Sequence, residues 1–154
     1  MLKEIKSDVF KDKDGVRPTV IFHNGLNVVN GSETGSNSIG KSTFLMAIDF
    51  CFGGKDYYDK LKNVIKNVNH HEINFAFEFE NKMYYFCRDT SSPDIITLCD
   101  GGDYNKTKET WSKEEFLSWL NKKYSNPTSL SFRNLISLYF RIYNRENLDR
   151  KSVV

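Results

Sequence analysis

The feature that most constrains this chain is an eight-residue pattern, G-S-N-S-I-G-K-S, at residues 35–42. A short apolar run over residues 26–29 precedes it, and apolar side chains recur at three- and four-residue spacing over residues 41–52. A β-branched run favours a strand, and the longer spacing favours a helix. The sequence therefore predicts a strand, a loop rich in glycine and serine, and then a helix that ends at Gly53-Gly54.

The pattern GxxxxGK[ST] is the Walker A motif, and its residue types suit a polyphosphate ligand. Backbone N–H groups of a tight loop and of a first helical turn converge on an anion at the positive end of the helix dipole. Gly35 and Gly40 allow the backbone to approach the anion closely. Lys41 would place its ammonium on the β- and γ-phosphates, and Ser42 would give its hydroxyl oxygen to Mg²⁺.

The motif supplies the candidate site. The candidate nucleotide-binding residues are Gly35, Ser36, Asn37, Ser38, Ile39, Gly40, Lys41, Ser42 and Thr43. Ser42 is also the candidate Mg²⁺ ligand, and Thr43 is placed on the α-phosphate side. No residue of the chain is identified as catalytic from its sequence.

The composition is that of a globular protein. The 154 residues suit one domain, and 22 basic against 20 acidic residues give a net charge of +2, which provides no broad attraction to nucleic acid. Residues 1–14 lack the apolar run of a signal peptide, and no apolar stretch approaches the roughly 20 residues that span a bilayer. Cys51, Cys87 and Cys99 are odd in number and far apart, so we expect reduced thiols in a cytoplasmic protein.

The N-terminal part predicts strands before the loop. Residues 2–10 alternate loosely between apolar and polar, residues 11–18 indicate a turn, and residues 19–22 predict a second strand. Asn24-Gly25 is a hairpin signal. It would place the strand at 26–29 beside the strand at 19–22.

The rest of the chain predicts a β-meander followed by helices. The predicted strands are residues 73–79, 83–88 and 95–99, with a turn at Asn81-Lys82 and an end at residues 100–103. Residues 55–69 predict a loop with one short helix at most. Ser112 and Glu115 fit a capping box before an amphipathic helix, and Ser131 opens a last helix that is apolar almost all the way round.

These elements predict an α/β fold for one domain, residues 1–154. Its parts are strands, Walker A loop and helix over residues 1–54, an antiparallel meander over residues 73–100 and a helical part over residues 112–145.

The runs N-G-L-N-V-V-N-G at 24–31 and N-S-I-G-K-S-T-F-L at 37–45 resemble the N-terminal half of an SMC/RecN-like ATPase head, the ABC-type branch of P-loop ATPases. The chain is also similar to an uncharacterised bacterial SMC-like group. The resemblance implies ATP as ligand and an N-terminal lobe with a mixed or antiparallel sheet. It also makes Lys11 a candidate contact, since the segment after the first strand helps to hold the base and ribose in such heads.

The resemblance also implies partners. SMC-like heads sandwich ATP between two copies, and closure moves a coiled coil that engages DNA or another partner. Their N-terminal lobe works with a C-terminal lobe that carries a Gln-bearing loop, an LSGG-like signature and a Walker B strand ending in Asp-Glu. This chain contains no glutamine and neither of the other motifs. We therefore expect a first lobe that binds ATP without significant turnover, in bacterial DNA repair, maintenance or phage defence.

Two other functions remain open on the sequence. The first is a self-contained P-loop kinase or GTPase, although no NKxD guanine motif follows the loop. The second is an interaction module in which nucleotide only stabilises the structure. Transfer of γ-phosphate to a small acceptor would indicate the first, and an effect of ATP on melting temperature alone would indicate the second.

Three weaker patterns are expected to be structural. The run I-I-T-L-C-D at 95–100 resembles a Walker B strand, but Gly101-Gly102 follows it and predicts a turn. His70-His71 lacks a third ligand at metal-binding spacing. The basic residues of the C-terminal end suit a solvated face, although DNA or phosphate remains an alternative for them; they are Arg133, Arg141, Arg145, Arg150 and Lys151.

Overall fold

The computed structural model describes residues 1–12, 14–29, 38–124 and 132–139. Within these ranges the strands are β1 (Leu2–Lys6), β2 (Lys11–Asp12), β3 (Gly15–Val16), β4 (Val20–Ile21), β5 (Glu72–Phe79), β6 (Lys82–Asp89), β7 (Ile95–Asp100) and β8 (Asp103–Ser112). The helices are α1 (Ser38–Cys51), α2 (Asp56–Lys60), α3 (Lys62–Val68), α4 (Lys113–Lys123) and α5 (Phe132–Tyr139).

Six strands form one antiparallel sheet in the order β4-β1-β5-β6-β7-β8, and β2 and β3 form a separate short hairpin. The alternating aromatic residues of β5 explain the position of the core. Phe75 and Phe77 are fully buried, and Phe75 faces Phe86 of β6. The rings of Phe52, just after α1, and Phe116 of α4 pack on this side at 5.1 Å from Phe77 and Phe86 respectively. The α/β prediction is thus confirmed, with an entirely antiparallel sheet.

The meander is confirmed but has a fourth strand. Residues 100–103 do not end it, because Gly101 and Gly102 both have positive φ and turn the chain into β8. Residues 105–110 of β8 are all exposed, so this strand lacks the apolar alternation that reveals a half-buried strand. The turn between β5 and β6 is Glu80-Asn81 rather than Asn81-Lys82, since Phe79 pairs with Lys82 and both turn residues have positive φ.

The prediction of a strand at 26–29 is wrong. These residues form no strand, and Leu26 and Val28 are 90% and 66% exposed. Asn27 provides the physical reason, because its side chain bonds the N–H and the C=O of His23 at 2.9 and 2.8 Å. A turn does occur at Asn24-Gly25, where Gly25 has φ of +89°. It is bridged by the hydrogen bonds of the Asn27 side chain and does not connect two paired strands.

The helices follow their sequence signals with two differences. The capping box of Ser112 and Glu115 is present at the start of α4, and Gly53 with φ of +81° follows the end of α1. However, α1 starts at Ser38, three residues before the predicted start, and residues 55–69 contain two short helices, α2 and α3, where a loop with a possible short helix was predicted. Ser131 and the predicted helical residues beyond Tyr139 lie outside the described part of the chain.

Candidate functional site

The N-terminus of α1 carries the described part of the Walker A motif. The first N–H groups of an α-helix have no partner within the helix, and in the described part of α1 these are the N–H groups of residues 38–40. The first turn of α1 contains no acidic residue, so no carboxylate of the helix itself competes for these donors. This end of the helix therefore offers free amides and the positive end of the dipole to an anion.

Lys41 lies in this first turn with an exposed side chain, and Gly40 before it is exposed as well. Ser42 and Thr43 follow and are half-buried. Within the described residues, no aspartate or glutamate forms an ion pair with Lys41. An exposed lysine beside free amides and a serine hydroxyl fits a polyphosphate with Mg²⁺, because each group meets its preferred partner.

The rest of the predicted phosphate-binding set is not placed. Gly35, Ser36 and Asn37 lie outside the described residues, and for Ser38 and Ile39 only the helical backbone is described. The nine-residue motif therefore stays a prediction as a complete site. The structure describes its second half, on the helix where the Walker A pattern requires it.

The far end of α1 is held by a buried arginine of β6. Arg88 is 1% exposed and donates to the carbonyls of Phe50 and Gly54 at 2.6 and 2.9 Å, and to that of Pro93 at 2.6 Å. Its guanidinium also lies 3.8 Å from the Phe50 ring centroid. Burial lowers the pKa of Arg88 to about 10, so the group stays charged at neutral pH. A cation therefore meets the carbonyl end of the helix whose amide end carries the Walker A residues.

Arg133 of α5 binds the same end of α1. It donates to the carboxylate of Asp49 at 2.7 Å and to the carbonyl of Phe52 at 3.2 Å. Arg133 was one of the basic residues interpreted as a solvated face or a DNA or phosphate contact, and the structure instead gives it a protein partner. The other members of that set, Arg141, Arg145, Arg150 and Lys151, lie outside the described residues.

Lys11 is exposed in β2, immediately after Phe10. The Phe10 ring packs edge-to-face on Phe44 of α1, with centroids 5.9 Å apart, and Phe44 lies about one helical turn after Lys41. The segment after β1 is therefore anchored against the middle of α1. Its position is compatible with the predicted contact from Lys11, which stays a prediction.

Two cavities border these elements. One of about 440 Å³ lies at the far end of α1, between α1, α4 and α5, and includes Asp49 and Arg133 in its lining. The other, of about 330 Å³, lies between the end of β1 and the segment that leads into β5. Only the second is close to the residues that follow β1, so we do not assign the larger cavity to the nucleotide.

The weaker patterns have structural roles. Asp100 pairs with Asp103 across the Gly101-Gly102 turn, as expected for a meander. His71 is 8% exposed and hydrogen-bonded through both ring nitrogens. No group of three or more histidine, cysteine, aspartate or glutamate side chains in the described ranges has metal-binding geometry.

The three cysteines are free and buried, as predicted. Burial raises the pKa of the Cys51 thiol well above its usual value, so it stays protonated. The side chain that sequence reasoning missed is Arg88. A single arginine near the end of an aromatic strand gives no signal that it reaches the end of a helix 34 to 38 residues earlier.

Comparison with known proteins identifies the family. Residues 17–150 match the AAA domain, which covers most of the chain. A search of curated proteins and a search of solved structures each gave no match. No helix in the described ranges is both long and apolar enough to cross a membrane. With its Walker A pattern and the helix that follows, the chain belongs to the AAA domain family of P-loop ATPases.

Proposed function

We propose that this chain is the ATP-binding lobe of an SMC/RecN-like ATPase that acts in bacterial DNA repair, maintenance or phage defence. The observation that carries the proposal is the start of α1, where exposed Lys41 and the first backbone amides of the helix lie within a Walker A sequence, in a chain of the AAA domain family. The resemblance of residues 24–31 and 37–45 to SMC-like heads supports the finer assignment.

The site would hold the nucleotide by its phosphates. The N–H groups of residues 38–40 would donate to phosphate oxygens, and Lys41 would add a point charge. Ser42 would hold Mg²⁺, which when bound neutralises part of the charge that the phosphates carry. Arg88 and Arg133 hold the other end of the 14-residue helix, so the amides are fixed on a rigid element about 20 Å long.

Turnover by this chain is expected to be negligible. Phosphoryl transfer depends on positioning and on charge neutralisation from all sides, and the sequence carries no glutamine, LSGG signature or Walker B Asp-Glu. A phosphate-release assay with saturating Mg-ATP should show no rate above that of the Lys41→Ala variant. Ordinary ATPase turnover that the Lys41→Ala substitution abolishes would show that the chain carries a complete catalytic site.

An exposed apolar edge supports the proposal of a partner lobe. Four of the six large exposed hydrophobic residues of the described chain lie within 13 positions: Val16, Ile21, Leu26 and Val28, all more than half exposed. Val16 lies in β3 of the separate hairpin, Ile21 in the edge strand β4, and Leu26 and Val28 in the segment that follows β4. We propose that the C-terminal ATPase lobe covers this edge and that a second head closes on ATP, as in the heads that the chain resembles.

Substitution of this edge tests the partner proposal. Leu26→Ser with Val28→Ser should change the unfolding free energy of this chain by less than about 0.5 kcal/mol, because both side chains are exposed. Without the C-terminal lobe the uncovered apolar residues should drive self-association at high concentration, so the pair should reduce it, as measured by sedimentation velocity with and without ATP. Ile95→Ser, at a position 49% exposed on another strand, is the matched control and should change neither quantity. Equal effects of the pair and the control would contradict a dedicated interface.

The alternatives receive less support. A self-contained nucleotide kinase would require a parallel sheet around its loop, whereas all six strands of the described sheet are antiparallel. We keep DNA as a partner only through the full ATPase, since this chain has a net charge of +2 and Arg133 is engaged by Asp49. The cytoplasm remains the proposed compartment, where ATP and reduced thiols are both available.

A further inference from the structure

The smaller cavity, of about 330 Å³, carries negative charge that no lysine or arginine of its lining balances. The exposed residues Asp8 and Glu72 both line it. Neither carboxylate forms an ion pair with another described residue. Glu72 does interact with the Cys87 thiol, whose pKa is raised by burial first and by this charge second, so the thiol stays neutral. Two unbalanced carboxylates therefore border one cavity.

The two buried polar residues of the lining use their hydrogen-bond donors inside the fold. The Ser7 hydroxyl donates to the Glu72 carbonyl at 2.6 Å. His71 Nδ1 lies 2.9 Å from the Asn69 carbonyl, which can only accept, so Nδ1 carries the proton and donates. Nε2 of the neutral ring then accepts from the Tyr57 hydroxyl at 2.9 Å. This part of the wall is therefore preformed and gives neither donor to a ligand.

Asn74 brings to the same lining an acceptor whose donor is missing. Its Oδ1 is buried without a hydrogen-bond partner, and no other side-chain atom of the described residues is in that state. A buried acceptor without a donor is unfavourable. Lys6 faces Asn74 across the β1–β5 pair but does not supply the donor, since its ammonium lies over the Tyr104 ring, 4.5 Å from the centroid. The missing donor is therefore one that the described residues do not provide.

We propose that this cavity receives an arginine side chain of a partner protein. Charge complementarity selects the occupant, because a guanidinium carries one positive charge and five donors in a planar fork, and the cavity offers two carboxylates and an unpartnered amide oxygen. Val9 and Val68 also line the cavity, and an arginine can lay its methylene stem on such apolar side chains.

A metal ion fits this cavity less well than a guanidinium. No group of three or more histidine, cysteine, aspartate or glutamate side chains among the described residues has metal-binding geometry. The separated acceptors of the lining instead suit an extended organic cation with several donors. The proposal goes beyond nucleotide binding and does not depend on it, since it uses no residue of the Walker A motif.

Two small probes of equal shape test the proposal. N-acetyl-L-argininamide carries the guanidinium, and N-acetyl-L-citrullinamide replaces it with a neutral urea group. Each probe is titrated into the ¹⁵N-labelled chain without nucleotide, and the amide shifts give its affinity and its location. The arginine probe should shift the amides of residues 7–9 and 68–74. The citrulline probe should bind at least about threefold more weakly, the value of one exposed charge pair.

Substitution of the carboxylates shows whether they hold the probe. Asp8→Asn and Glu72→Gln should each weaken the arginine probe about threefold and leave the citrulline probe unchanged. Both positions are exposed, so the unfolding midpoint should stay that of the wild type. Glu114→Gln is the matched control, because Glu114 is an exposed carboxylate on α4 outside the cavity, and it should change neither affinity.

Three results would overturn the proposal. Equal affinity for the two probes, or no binding of the arginine probe, shows that the cavity does not select a guanidinium. Equal losses in Glu72→Gln and Glu114→Gln show a general attraction of cations to exposed carboxylates. Displacement of the probe by MgCl₂, with Mg²⁺ shifting the same amides, shows a metal site instead. Because no nucleotide is present, these results are independent of whether Lys41 binds ATP.

Discussion

Replacing Arg88 with methionine should lower the free energy of unfolding by about 3–5 kcal/mol, which is large for a single substitution. The guanidinium is 1% exposed and donates to three carbonyls, those of Phe50, Gly54 and Pro93. Methionine fills a similar volume but donates nothing, so buried acceptors at the end of α1 lose their partner. Urea denaturation followed by circular dichroism should show a lower midpoint with an unchanged slope.

Two variants separate the causes of this effect. Arg88→Lys keeps the charge but not the planar fork, so it should fall between the wild type and Arg88→Met. Arg133→Met removes a guanidinium from the same helix end, but its side chain is 32% exposed, so the expected loss is only about 1 kcal/mol. If Arg88→Met is no more destabilising than Arg133→Met, the buried arginine is not the main anchor of α1.

Most of the fold was predictable because apolar and polar residues alternate clearly along its core strands. The aromatic residues of β5 and the paired apolar residues of β6 and β7 indicate which face of the sheet is buried. The capping box of Ser112 and Glu115 indicates where α4 begins. What escaped prediction lacks such a signal. β8 is polar and exposed through its centre, and its pairing with β7 depends on the two turn glycines.

The error at residues 26–29 has a different origin. An apolar run was interpreted as a buried strand, yet Leu26 is 90% exposed and Asn27 bonds the backbone of His23. An apolar segment is buried only where another part of a protein covers it, and the periodicity of the sequence does not show which part that is. The same exposure supports the proposed interface with a second lobe.

The position of the candidate site in the chain was predictable because the residues of the Walker A pattern are neighbours in the sequence. The Walker A pattern specifies one lysine, its neighbouring amides and a helix start, and α1 begins within the motif. The long-range contacts were not predictable, because Arg88, Arg133 and Tyr57 reach the site elements from distant strands and helices. Nothing in the spacing of His70 and His71 indicated that Tyr57 and Thr90 fix their two rings.

Lys41→Ala should weaken the binding of Mg-ATP roughly ten- to hundredfold, because a charged group that hydrogen-bonds phosphate contributes about 1.5–3 kcal/mol. Its side chain is exposed and pairs with no carboxylate of the described residues, so the substitution should not change the unfolding midpoint. Lys55→Ala is the matched control. That lysine is 77% exposed at the opposite end of α1, and its loss should leave the affinity for ATP unchanged.

We expect the start of α1 to bind the phosphates of a nucleotide. Isothermal titration of Mg-ATP into the wild type, Lys41→Ala and Lys55→Ala measures this binding. The wild type and the Lys55 variant should bind saturably, and the Lys41 variant should lose at least about tenfold in affinity. Equal affinity in all three proteins, or no binding by the folded wild type, would contradict it.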